Sequence, residues 1–231
     1  NQPKEDLDDL SESVQRQKVA RINVLLAIGT KGDETLPTGE TNLYLCAKRG
    51  LTDSARVLSQ NFCDPNYTNS QHENTFWVAC VNEHFDTAAV LRDNGADMNM
   101  QDVNHETLLH NVYRRRIMKI FNSVLELGAS PNVKNGNSLT VTYIAFFNRD
   151  DEIAEMLQDK YKGDINALDG NMDSLIHHAL YKNDLQRIEY LSNRKINMDL
   201  KNKKGHSVMM VSYLKGVNFD LWKFLLDKGA N

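Results

Sequence analysis

Cysteine is scarce and odd in number, with three in 231 residues, at positions 46, 63 and 80. An odd set at wide spacing builds no disulfide framework, so an intracellular setting, cytoplasmic or nuclear, is the expectation. No stretch reaches the roughly 18 consecutive apolar residues of a membrane-crossing helix, and insertion into a membrane is not expected. The opening Asn1-Gln2-Pro3-Lys4-Glu5-Asp6 resembles no signal peptide; Asn66-Tyr67-Thr68 matches a glycosylation acceptor but would matter only on secretion. Glycine-rich phosphate loops of the G-x-x-x-x-G-K-[ST] or G-x-G-x-x-G kind are missing. No Cys/His/Asn arrangement offers a nucleophile with its base, so neither catalysis nor a cofactor is expected. The formal charge of −4 and pI near 6.0 argue against a wholesale nucleic-acid binder, although a local basic patch can hide under a mild average.

What the chain has instead is a rhythm. Thr107-Leu108-Leu109-His110 follows Asp102-Val103-Asn104-His105-Glu106 and precedes Gly128-Ala129-Ser130-Pro131-Asn132. Thirty-three residues earlier Asn74 opens Thr75-Phe76-Trp77-Val78-Ala79, and thirty-three before that Thr41 opens Asn42-Leu43-Tyr44-Leu45-Cys46. Forward steps reach Thr140, then Ser174 one residue late, then Ser207. Six units share one phase.

That wording resembles the ankyrin-repeat family, in which T-P-L-H-x-A opens a first helix and G-A-D-x-N closes a second. The resemblance runs from about Pro37 to Asn231. It implies an all-α fold, a solenoid of stacked antiparallel helix pairs with β-turn or hairpin fingers, each pair packing only on its neighbours. It also implies protein or peptide recognition through the finger tips and the exposed positions of the first helices. The sequence departs from the family pattern in places. Only the third repeat keeps the Leu-His pair, the Pro after the opening Thr is absent from every unit, and several turns lack glycine. Individual repeats should therefore be weaker than the consensus.

The expected layout is a helical cap or degenerate repeat over 1–34, then six repeats at about 35–68, 69–101, 102–134, 135–168, 169–201 and 202–231. Leu7, Leu10, Val14, Ile22, Leu25 and Leu26 suggest helix in the first segment. In the first repeat, Gly39 supplies the turn and Thr41 is placed to cap a helix over Leu43–Lys48. That helix stops near Gly50, and a second helix runs over Asp53–Gln60. The turn Arg114-Arg115-Arg116 has no glycine, the fourth repeat adds a residue near Lys160–Gly163, and the sixth adds one near Gly216. Leu221, Trp222, Leu225 and Leu226 are very apolar for an exposed end, so the array is expected to continue beyond Asn231.

Candidate chemistry is sparse. Adjacent His177 and His178 point about 100° apart on a helix and cannot readily share one ion. His110 and His177 hold the family's His slot, where the imidazole bonds neighbouring turn backbone. No metal site is expected. Cys46 and Cys80 occupy small slots and read as core thiols.

One pattern does point outward. In the family fold the two residues after the small pair of each first helix face the concave groove. Along the array these are Lys48-Arg49, Val81-Asn82, Arg114-Arg115, Phe147-Asn148, Tyr181-Lys182 and Leu214-Lys215. None of the twelve is acidic, and Lys201, Lys203 and Lys204 add positive charge on one finger. Helix C-termini favour Lys and Arg in any case. If function contributes as well, the groove should hold an acidic or phosphorylated segment of another protein. Arg114 and Arg115 would then act as forks, with Phe147 and Tyr181 as anchors. Replacing both arginines by glutamate is then expected to leave the fold intact and abolish binding. Nucleic-acid binding by the same groove, or service as the targeting arm of a larger enzyme, are the alternatives.

Overall fold

The computed structural model describes residues 40–61, 63–194 and 196–231. The cap or degenerate repeat expected over 1–34 and the Gly39 turn lie outside the described residues. Among the described residues there are twelve helices and no strand, with one isolated antiparallel bridge between Gln101 and Thr107. They fall into two compact units, one up to Ala129 and one from Ser130 onward. The first unit holds α1 (Asn42–Arg49), α2 (Thr52–Gln60), α3 (Thr75–Val81), α4 (Phe85–Asp93), α5 (Leu108–Arg114) and α6 (Met118–Glu126). The second holds α7 (Val141–Phe147), α8 (Asp151–Tyr161), α9 (Leu175–Tyr181), α10 (Leu185–Ser192), α11 (Val208–Lys215) and α12 (Phe219–Asp227). In each unit, helices pack as pairs on their sequence neighbours. In the first unit α1 meets α2 and α3, and α2 meets α4. In the second α9 meets α10, α7 and α11.

The six rhythmic positions are helix N-caps. The side chains of Thr41, Asn74, Thr107, Thr140 and Ser207 accept the backbone N–H three residues on, and Ser174 forms a reciprocal capping box with His177. Each thus satisfies an amide that the first turn cannot. The one-residue delay before Ser174 comes from α8, which runs 11 residues and ends on Lys162 in the left-handed conformation.

The turns between paired helices explain how missing glycines are tolerated. Each contains one left-handed residue: Gly50, Glu83, Arg116, Arg149, Asn183 and Gly216 in order along the chain. Only the first and last are glycine. A second left-handed position recurs in the finger turns at His72, His105, Ser138, Met172 and Gly205. Here the backbone is held by an Asn or Asp three residues before. Asn69, Asp102, Asn135, Asp169 and Asn202 each use one side-chain oxygen to accept two backbone N–H groups, from the residues two and four positions on. Asn and Asp suit this role because their short side chains mimic a backbone turn. Turns also join one another: the Val103 N–H donates to the Gln71 carbonyl, and the Lys203 N–H to the Asn171 carbonyl.

The core lies between helix layers. Phe76, Phe121, Leu43, Leu91 and Leu108 are fully buried in the first unit, and Phe146, Leu157, Ile176 and Leu191 in the second. Each such side chain contributes about 1.5–3 kcal/mol on leaving water. Cys46, Cys63 and Cys80 are buried as well, and burial pushes the Cys80 thiol far up.

Candidate functional site

The last residues of the first helices stand at the surface because the turn that follows must leave the helix layer before α2, α4, α6, α8, α10 or α12 returns. Lys48, Arg49, Val81, Asn82, Arg114, Arg115, Phe147, Asn148, Lys182, Leu214 and Lys215 are all exposed, and Tyr181 is half-buried. Lys203 and Lys204 are exposed on the last finger turn. What these residues do differs from one to the next.

In the first unit two of the expected cations are already occupied by acids of the preceding finger turn. Lys48 Nζ lies 3.1 Å from Glu40 Oε1, and the Arg114 guanidinium is paired with Glu106. The Glu106 side chain is 8 % exposed while Arg114 remains 62 % exposed. Arg114 is therefore not the free fork that the absence of acids among the twelve positions suggested. The acids stand eight residues upstream, on a neighbouring turn. The guanidinium groups of Arg49 and Arg115 form no hydrogen bond or ion pair among the described residues. The second helices carry acids too, but several of these join repeats. Arg149 pairs with Asp184, Arg187 with Asp151 at 2.6 Å, and Arg194 with Glu155.

In the second unit the expected residues gather around aromatic rings. Phe147 stacks on Tyr143 with centroids 6.2 Å apart and meets His178 edge-on at 5.3 Å, and Lys182 Nζ sits 4.5 Å from the Phe147 centroid. Lys215 Nζ lies 5.6 Å from the Tyr181 centroid. Such ammonium–ring contacts hold the long side chains near the surface without consuming their charge. Asn148 caps the C-terminus of α7 through its backbone N–H and stays exposed. Tyr181, Lys203, Lys204 and Lys215 line one open cleft of about 510 Å³.

The floor of that cleft escaped the sequence reading. Asn202, 7 % exposed, donates from Nδ2 to Asp173 Oδ1 and to the Tyr181 hydroxyl, both at 3.0 Å. The Tyr181 hydroxyl in turn donates to Asp173 Oδ1 at 2.9 Å. Burial pushes the Tyr181 hydroxyl up from its ordinary value, and its hydrogen bond to Asp173 adds to the rise. The signal was available: Asn or Asp recurs at 69, 102, 135, 169 and 202, in step with the helix caps.

The histidines act as braces. His177 Nδ1 lies 2.8 Å from the Ser174 hydroxyl and its Nε2 lies 3.2 Å from the His206 carbonyl, as the family's His slot implies. His110 Nδ1 lies 2.8 Å from Thr107 Oγ1. Burial depresses the His177 pKa below its ordinary 6.5. His178 Nε2 lies 2.9 Å from Asp169 Oδ2. Burial would raise the Asp169 carboxyl, but the bonds from His178 and from the Asp173 and Asn171 amides outweigh it and hold the group low. Asp169, Asp173 and His178 bring ligand-type atoms within 4.8 Å of one another. The atoms concerned are those holding the finger turn and the Tyr181–Asn202 floor, which accounts for the cluster.

Comparison with known proteins places these features. The family described as Ankyrin repeats (3 copies) matches residues 10–102. SH3 and multiple ankyrin repeat domains protein 2 of Homo sapiens is 25 % identical over 198 residues, covering 83 % of this chain. The chain spans only 11 % of that protein's length. Among solved structures, the ankyrin repeat domain of Bcl-3 superposes with a TM-score of 0.65 at 18 % identity, covering 94 % of each chain. An ankyrin repeat domain from Acinetobacter baumannii AYE gives 0.54 at 19 % identity, covering 82 % of this chain and 98 % of its own. At these identities the structural likeness speaks for the fold alone.

Proposed function

The chain is an ankyrin-repeat protein, and from that premise we propose that it is a non-catalytic recognition module that holds an acidic segment of a partner protein. Ankyrin repeats are in general protein–protein interaction modules. The finer reading rests on one observation: Arg49, Arg115, Lys203 and Lys204 project into solvent without an ion pair among the described residues. Arg49 and Arg115 stand at the ends of α1 and α5 in the first unit, and Lys203 and Lys204 stand on the last finger turn of the second, beside Tyr181 in the lining of one cleft. Cations held by a rigid scaffold and not neutralised by the chain's own acids attract opposite charge. Within the second unit the Tyr181 ring, which lines the same cleft as Lys203 and Lys204, and the exposed Phe147 at the end of α7 supply apolar anchorage. Non-catalytic service is supported by the buried, undissociated Cys80 thiol and by histidines engaged in bracing turns.

Selection of a random displayed peptide library on the immobilised protein tests this. Peptides enriched in Asp and Glu, and a severalfold loss of their binding in Arg115→Glu, are the expected result. Enrichment of neutral or basic peptides would overturn the reading, as would acidic peptides whose affinity ignores the charge reversal. Random-sequence oligonucleotides binding more tightly than any selected peptide would favour the nucleic-acid alternative.

A further inference from the structure

Resting on the acidic-segment reading, we infer that the cleft between the ends of α9 and α11 is a seat for a phosphorylated side chain, so that phosphorylation of the partner switches binding on. The cleft has about 510 Å³ of open space, more than a carboxylate group fills. Lys203, Lys204 and Lys215 border it, and no hydrogen bond or ion pair engages the ammonium groups of these lysines among the described residues. The acid in its lining is Asp173, which is 7 % exposed and whose Oδ1 already accepts from the Tyr181 hydroxyl and Asn202 Nδ2. Three lysines therefore share the cleft lining with one carboxylate, which is engaged in the floor, while Asp169, within 4.8 Å of it, is bonded to His178.

A carboxylate ligand brings one charge and two oxygens to this set. A phosphate monoester brings close to two charges and three terminal oxygens, one for each lysine. Lysine suits the task as a mobile point charge on a flexible stem. The Tyr181 ring, Val211 and Leu214 give the cleft an apolar wall, against which the carbon stem of the phosphorylated residue packs. The backbone amides of Lys203 and Lys204 are already bonded to Asn171 and Asn202. Recognition is thus by side-chain charge on a pre-braced turn, and the turn does not rearrange to bind.

The test uses three immobilised peptide libraries with identical degenerate flanks and a central phosphoserine, glutamate or serine. Retention of the whole protein is expected to be at least about tenfold stronger on phosphoserine than on glutamate or serine. The preference should disappear in Lys203→Gln/Lys204→Gln/Lys215→Gln and persist in Lys223→Gln, an exposed lysine outside the cleft lining. Circular dichroism checks the fold of the triple variant; should it fail to fold, the three single substitutions must each weaken phosphoserine retention. Equal retention on glutamate and phosphoserine, both lost in the triple variant, overturns the phosphate seat and leaves the acidic-segment reading standing. Retention on none of the libraries overturns the seat, while the separate peptide selection decides the broader reading. Displacement of the phosphoserine library by a random single-stranded oligonucleotide at equal phosphate concentration overturns the assignment to a protein-borne phosphate.

Discussion

At the scale of single residues, the two adjacent arginines after α5 have different jobs. The Arg115 side chain is exposed and its guanidinium unengaged among the described residues, so Arg115→Glu should change binding while leaving stability within about 0.5 kcal/mol. Arg114 is tied to the nearly buried Glu106, and Arg114→Glu sets two carboxylates against each other. That variant should lose about 1–3 kcal/mol in urea unfolding, so the double reversal would confuse a fold defect with a binding defect. Met172 offers the opposite sign. It is 44 % exposed and adopts φ 60°, where the equivalent residue of the last finger is Gly205. Met172→Gly should stabilise the protein by about 1 kcal/mol by removing the left-handed penalty on a side chain that packs little. An unchanged unfolding midpoint would show that the turn carries no strain at this position.

At the scale of elements, the caps and the finger turns are what hold each short helix in place. A seven-residue helix such as α5 or α9 is far below the length at which an isolated helix persists. Thr140→Ala should cost about 1 kcal/mol, since Thr140 Oγ1 receives the Tyr143 N–H at 3.0 Å. Asn202 carries more, because its Oδ1 accepts from Lys204 and His206 while its Nδ2 supports Asp173 and Tyr181. Asn202→Ala should therefore cost about 2–3 kcal/mol. Asn202→Asp would keep the turn but set a second carboxylate against Asp173, weakening anion binding at the cleft without unfolding the finger. Chemical denaturation and peptide retention, measured on both variants, separate the two roles.

At the scale of the whole molecule, acid sensitivity should begin near neutrality. His177 is buried, and its pKa is held below the ordinary 6.5. Below pH 6.5 the unfolded chain takes up a proton that the folded chain refuses, so this contribution is complete above 6.5 and fades as pH falls toward the depressed folded value. Asp169 and Asp184 are held below the ordinary 3.8, and their contribution is present above that value and lost in stronger acid. The urea midpoint should thus be level from pH 7 to 8 and decline in a first step below 6.5. His177→Asn should remove that first step at the cost of overall stability. A first step of undiminished size in the variant would assign it to other groups.

The repeat phase, the helix pairs and the capping residues were legible in the sequence because they depend on local chemistry. A Thr, Asn or Ser at a fixed step caps whichever helix follows, and apolar spacing declares which face is buried. Even the longer α8 and the extra residue before Gly216 showed as breaks in the count. Which of the helix-end charges are neutralised was not legible from the twelve positions taken alone. Glu106 reaches Arg114, and Glu40 reaches Lys48, across a turn whose folding decides that residues eight apart become neighbours. The corresponding turn before α9 brings Asp173 to Tyr181, and the next finger turn adds Asn202, in a cleft lined by three lysines. Sequence fixes which groups are present and which helices they sit on; only packing of turn against helix end determines which charges are spent inside the chain and which remain to meet another molecule.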